Sequence, residues 1–217
     1  MHTSNSVNEF QLHINQLRRR LGEPLPGLDK FIDMAPENRK RKPVHQARAR
    51  GCREGSVLLL LYPIDGVAHT VLTVRSASLR THAGQISLPG GRIDPGEDAV
   101  QAALREAWEE LEIVPEELEV IGSLSELYIP PSNFCLQPIV AVTDCRPNFQ
   151  AQETEVAELL EIPISYFVGP ANRRVEIWKI EGKPRRIPFF LYGPHKIWGA
   201  TGMIMSQMAA LWEEMGG

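Results

Sequence analysis

Residues 91–113 read GRIDPGEDAVQAALREAWEELEI, and within them Glu106, Glu109 and Glu110 recur at the i, i+3, i+4 spacing of neighbours on one helix turn. At about 100° per residue, Val100, Ala103, Leu104, Ala107 and Leu111 form one stripe and the three glutamates the next. The stretch therefore predicts a helix over 98–112 that packs on one face and gathers acid on another. Asp98 is the preferred cap, with Gln101 completing a capping box, although Asp94 with Pro95 and Glu97 offers an earlier one. Like charges at this spacing repel by on the order of 0.2–0.5 kcal/mol per pair on an exposed helix, and by more where water is scarce. Taken alone, the triad is either a solvated acidic face or a set of hard oxygen ligands for a divalent cation such as Mg²⁺ or Mn²⁺.

Upstream, Val57–Tyr62 and Val67–Arg75 read as strands joined by the turn Ile64-Asp65-Gly66, and a loop runs from there to Pro89-Gly90-Gly91. Further strands are expected near 118–126, 136–143, 174–180 and 185–192, the last two joined through Glu181-Gly182-Lys183. A short helix is expected after Pro163 and a closing helix over Thr201–Met215. At the other end, Val7, Phe10, Ile14, Leu17 and Leu21 mark an amphipathic helix over 7–21, with Leu12 off the stripe and Arg18, Arg19 and Arg20 at its last turn. Gly22 to Gly27 stops it, and a basic, irregular stretch that includes Arg39-Lys40-Arg41-Lys42 reads as a solvated arm. The chain thus divides into an extension over 1–54, packed on a main domain over 55–217. Strands paired in hairpins around a few helices predict a layered domain of mixed α+β or α/β class.

A chain of 217 residues with 43% apolar and 23% charged side chains supports a real core, which excludes a disordered chain, a collagen-like repeat and a disulfide-scaffold toxin. The net charge of −4 argues against a partner as long as a nucleic-acid duplex. That total hides a split: residues 94–119 hold ten acids and one base, whereas the first 53 hold eleven bases and five acids. Cys52, Cys135 and Cys145 are odd in number and form no CxxC pair, so the expectation is no disulfide framework, no thiolate zinc site and a reducing cytoplasm. Val57–Tyr62, the longest apolar run, falls far short of the roughly 20 residues a membrane helix needs, and neither end carries a targeting or lipidation signal.

Gly91, five residues, Glu97, seven residues, and then Arg105-Glu106-Ala107-Trp108-Glu109-Glu110-Leu111-Glu112-Ile113 resemble the signature of the Nudix hydrolases. Gly91, Glu97, Arg105, Glu106, Glu109 and Glu110 all match in register. Glu112 stands where the family has a glycine that ends the helix in a left-handed turn, and Ala107 is smaller than the usual aliphatic residue. The resemblance implies an α/β/α sandwich with a mixed sheet that hydrolyses a diphosphate joined to another moiety. It further implies that Glu106, Glu109, Glu110 and the Gly91 carbonyl bind Mg²⁺ or Mn²⁺ and that Arg105 holds Glu97. Glu110, Glu153 and Glu155 are its candidates for the general base.

Residues 71–91 resemble the second signature of the coenzyme A pyrophosphatase branch, with Arg75, Ser76, Arg80, Gly84 and Pro89-Gly90-Gly91 in register. Val71 and Leu88 replace a leucine and a phenylalanine. Ile197-Trp198-Gly199-Ala200-Thr201 also resembles this branch. The likeness implies a coenzyme A-type nucleotide substrate, cut to 3′,5′-ADP and 4′-phosphopantetheine, with acyl or oxidised coenzyme A as related substrates. Arg75, Arg80, His82, Gly84 and Gly90 are then the substrate-binding candidates. ADP-ribose or NADH is the alternative substrate, and a non-catalytic nucleotide-binding regulator is a further reading. A homodimer is compatible with the chain.

Overall fold

Ile64 and Val67 pair across Asp65 and Gly66, whose φ angles of 50° and 80° give the two left-handed residues that a tight hairpin turn requires. This hairpin is the centre of a computed structural model that describes residues 3–25, 33–37, 43–77, 84–180 and 182–216, with side chains from residue 9 onward. In chain order the elements are α1 (Thr3–Leu21), α2 (Val44–Arg48), β1 (Arg53–Ile64), β2 (Val67–Arg75), β3 (Ile86–Ser87), β4 (Gly90–Arg92), α3 (Ala99–Leu111), β5 (Glu119–Ser123), β6 (Leu127–Ile129), β7 (Phe134–Val142), β8 (Val156–Pro163), β9 (Arg173–Ile180), β10 (Lys183–Tyr192), β11 (His195–Trp198) and α4 (Gly199–Glu214).

The main sheet runs β3-β2-β1-β7-β5, with β4 on β1, β6 on β7 and β8 on β2. The β1–β7 pair is parallel and its other pairs are antiparallel, so the sheet is mixed. A second sheet holds β11-β10-β9. Because β1 alternates faces, Leu58, Leu60 and Tyr62 meet Ala103, Ala107 and Leu111 of α3 on one side, together with Ile139 and Ala141 of β7. Leu59 and Leu61 meet α1 and α4 on the other, through Phe10, Ile14, Leu17, Met208 and Trp212. Burial on both faces explains why Val57–Tyr62 is an unbroken apolar run. The result is the expected α/β/α sandwich. Leu12 faces solvent, and among the described residues no helix is long and apolar enough to cross a membrane.

Several expectations change. The strand expected over 118–126 ends at Ser123 and resumes as β6. Sequence pattern marks no strand between 143 and 174, yet β8 pairs with β2 from Pro163–His69 to Val156–Arg75. The helix after Pro163 is a single 3₁₀ turn, Ile164–Phe167. Cys52 and Cys135 form a disulfide, with Cα atoms 5.9 Å apart, because the β1–β7 register brings Arg53 opposite Phe134. This corrects the expectation that no disulfide forms, and the reducing-compartment reading loses its cysteine argument. Val7's side chain, Arg39 to Lys42 and Glu181 lie outside the described residues.

A crosslink between residues 83 apart removes much freedom from the unfolded chain. Reduction, or Cys52→Ser, is expected to lower unfolding stability by on the order of 2–4 kcal/mol, read from urea denaturation with and without reductant. An unchanged midpoint contradicts this.

Candidate functional site

The helix that carries the acids begins as its local sequence dictates. Asp98 Oδ1 accepts the N–H groups of Val100 and Gln101 at 2.8 and 2.9 Å, and Gln101 Oε1 accepts the Asp98 N–H at 2.9 Å. At the other end Glu112 adopts φ 53°, ψ 33°, the left-handed conformation the family reserves for glycine, at a cost of about 1 kcal/mol. The helix ends in the same way despite the substitution. Its last carbonyls are satisfied by the following loop, since Gln150 N donates to Leu111 O at 3.0 Å and Gln152 N to Glu110 O at 2.9 Å.

Arg105 organises the acidic face. Its Nε and Nη2 donate to the two oxygens of Glu97 at 2.7 and 3.0 Å, and Nη2 also reaches the Arg92 carbonyl at 3.0 Å. Nη1 donates to Glu106 Oε1 at 2.9 Å and to Glu109 Oε2 at 3.1 Å. Glu97 also accepts the Asp94 N–H at 3.0 Å, and the Arg105 guanidinium together with this N–H holds its carboxyl below the ordinary range. One guanidinium thus ties the loop before the helix to two glutamates on it.

Glu110 differs from its neighbours because it points into the sheet side and is 5% exposed. Burial pushes its carboxyl up to about 8; Arg75 opposes the shift, and the charges of Glu106 and Glu155 add to it. The carboxylate accepts the Gly90 N–H, but Oε2 is buried without a hydrogen-bond partner. Burial raises Glu106 as well, against the Arg105 hydrogen bond and with help from Glu109 and Glu155. A buried anionic oxygen without a donor, facing further carboxylates, is an electrostatic deficit that a hard divalent cation fills. The donor set fits such an ion.

Glu155 reaches the cluster from the loop that leads into β8. The β2–β8 register slips between Val74 and Arg75, and Ser76 N then donates to Glu155 O at 2.8 Å. The bulge brings Arg75 and Glu155 to the same place. Glu153 is exposed and makes no hydrogen bond or ion pair among the described residues, so the structure brings one of the two loop acids to the cluster.

Gly91 lies against the Glu106 carboxylate, where an added Cβ would stand 2.4 Å from Oε1, and at Gly90 the Cβ would stand 2.4 Å from Ser56 O. Gly91→Ala is therefore expected to displace Glu106 and cut turnover by roughly 10- to 100-fold with the fold retained, read as kcat beside a thermal midpoint. Wild-type kcat in this variant contradicts the contact. Gly84, at φ 70°, donates to the Arg75 carbonyl at 2.9 Å and closes the base of the loop after β2. Arg80 and His82 lie in that loop, outside the described residues.

Beside the cluster is a cleft of about 820 Å³ that shares Arg75 and Gly90 with it. Its walls are largely apolar, with Leu88, Ile129, Phe134, Leu136, Trp198 and Ile204. Sequence reasoning found Trp198 to Thr201 by resemblance but missed Pro36 and Glu37, Ile129 to Phe134, and Arg185. They come from separate elements and carry no local pattern.

A family model described as NUDIX domain matches residues 53–163. The uncharacterized Nudix hydrolase NudL of Pectobacterium atrosepticum is 37% identical over 173 residues, spanning 77% of this chain and 84% of that protein. The human mitochondrial coenzyme A diphosphatase NUDT8 is 33% identical over 153 residues, spanning 69% of this chain and 65% of that protein. Among solved structures, a MutT/nudix family protein from Enterococcus faecalis covers 86% of this chain and 74% of its own at 12% identity, with a TM-score of 0.49.

Proposed function

The chain belongs to the Nudix family of hydrolases, and from that membership we propose that it cleaves the diphosphate of coenzyme A, or of an acyl or oxidised derivative, to 3′,5′-ADP and 4′-phosphopantetheine or its derivative. The observation that carries the reading is the junction of the two halves of the site: Arg75 and Gly90 belong at once to the carboxylate cluster and to a cleft with apolar walls. Such a cleft suits an organic moiety joined to the diphosphate, and the human relative named as a coenzyme A diphosphatase supports the same substrate.

Glu106, Glu109 and Glu110, with the Gly91 carbonyl, would hold Mg²⁺ or Mn²⁺. Bound there, a divalent cation neutralises charge on the diphosphate and acidifies a water. Arg75 holds phosphate oxygens from the cleft side, and Arg105 keeps Glu106 and Glu109 aimed. Glu155, beside Glu106 and Glu110, accepts the proton of the attacking water as the anhydride P–O bond breaks and one bridging oxygen leaves with its phosphate.

The test is turnover of coenzyme A, 3′-dephospho-coenzyme A, ADP-ribose and NADH with Mg²⁺ or Mn²⁺, the products weighed by mass spectrometry. Metal-dependent release of 3′,5′-ADP from coenzyme A, at a kcat/KM at least tenfold above ADP-ribose and NADH, is expected. A preference for ADP-ribose or NADH overturns the substrate, and binding of nucleotide without any hydrolysis overturns catalysis.

A further inference from the structure

Arg75 and Arg185 are the two basic side chains among the described residues that line the 820 Å³ cleft. Arg75 sits against the carboxylates. Arg185 comes from a separate wall, made by Ile180 and Arg185 near the turn of the β9–β10 hairpin and by Pro36 and Glu37 of the preceding segment. That wall is fixed: Glu37 N donates to Arg186 O at 3.0 Å, and Met34 is buried against Gly202 of α4.

Arg185 is half-buried, yet no carboxylate pairs with it among the described residues. Among those residues its one hydrogen bond runs from Nη1 to the Glu37 main-chain carbonyl at 3.4 Å, and Glu37, the acid lining the cleft, is itself exposed and uses its backbone here. A guanidinium on an apolar wall, with no carboxylate against it among the described residues, is set up to receive an anion, and its planar fork matches the oxygens of a phosphate. The diphosphate belongs to the other end of the cleft, where Arg75 and the carboxylates stand.

Resting on the coenzyme A reading, we propose that Arg185 binds the 3′-phosphate of the substrate's ribose and so selects coenzyme A over diphosphates that lack this group. The 3′-phosphate is the anion coenzyme A carries outside its diphosphate, whereas ADP-ribose and NADH have none at that position. A carboxylate on an acyl group is present only on some thioesters, so the phosphate is the occupant common to all. Arg185 acts as a specificity residue, away from the bond that breaks.

The experiment measures kcat and KM for coenzyme A and 3′-dephospho-coenzyme A, with saturating Mg²⁺, in the wild type, Arg185→Gln, Arg185→Lys and Arg80→Gln. The wild type is expected to favour coenzyme A by about tenfold or more. In Arg185→Gln that ratio falls to near one, mainly through KM for coenzyme A, and Arg185→Lys restores part of it. An unchanged ratio in Arg185→Gln, including an equal fall on both compounds, overturns the proposal. So does a ratio that collapses in Arg80→Gln and not in Arg185→Gln. If the wild type cleaves neither compound, the coenzyme A reading itself fails, which is a separate result from cleavage with an unchanged ratio.

Discussion

Glu110→Gln is expected to lose three orders of magnitude or more of turnover while making the metal-free protein harder to unfold. Turnover falls because the substitution removes a buried anionic ligand where no water can take its place. Stability rises because the metal-free wild type must hold a carboxylate among Glu106 and Glu155 with Oε2 unpartnered, and the amide carries no charge. The gain has a pH dependence whose sign follows from the raised carboxyl. Glu110 binds its proton more tightly when folded, so it costs nothing below about 4.5, and stability is lost as pH rises through about 8. The difference between variant and wild type is therefore small at pH 5 and reaches several kcal/mol, on the order of 3–5, at pH 8 and above. Adding Mg²⁺ or Mn²⁺ reverses the order: the wild type gains about 2–3 kcal/mol at a hundredfold excess over Kd, and the variant gains little. Thermal unfolding with and without metal, beside kcat, reads both effects. Wild-type turnover with an undiminished metal shift would remove Glu110 from the ligand set.

The second large effect is expected at Arg105, which positions Glu97, Glu106 and Glu109, the last two being proposed metal ligands. Arg105→Ala leaves Glu97, Glu106 and Glu109 facing one another without a cation and frees the Arg92 carbonyl. Loss of about a hundredfold in kcat is expected, with KM changed much less, because the ligands remain but are no longer aimed. Stability falls by about 1–3 kcal/mol. Arg105→Lys recovers charge but not geometry: an ammonium cannot span two oxygens of Glu97 and also reach Glu106 and Glu109, so less than a tenfold recovery is expected. Full rescue by lysine would show that charge alone matters there.

What the sequence disclosed was what short-range rules govern. The cap at Asp98, the acidic face of α3 and the Asp65-Gly66 hairpin each depend on residues a few positions apart, and each is present in the structure. The hidden parts depend on distant partners. In β8, Val156, Leu160 and Ile162 are buried, but the bulge at Val74/Arg75 and the half-buried Leu159 break the two-residue period that marks a strand. β3 and β4 are two and three residues long and have no period to read. The Cys52–Cys135 pair emerges only once β1 and β7 are in register, and the cleft only once the C-terminal sheet closes on the segment at Pro36. Spacing nominated Glu153 and Glu155 equally; in the structure the charge of Glu155 acts on Glu106 and Glu110.

The amides of Gln150 and Gln152 close the end of α3, and the loop they begin carries Glu155 to the cluster. Helix end and acidic loop are therefore one mechanical part. Swinging the loop away would break the two hydrogen bonds that close the turn bearing Glu110. Drift in the distance between the proposed base and the ligand it faces is then limited by the stiffness of a helix rather than by that of a free loop, and the cluster comes apart, when it does, all at once.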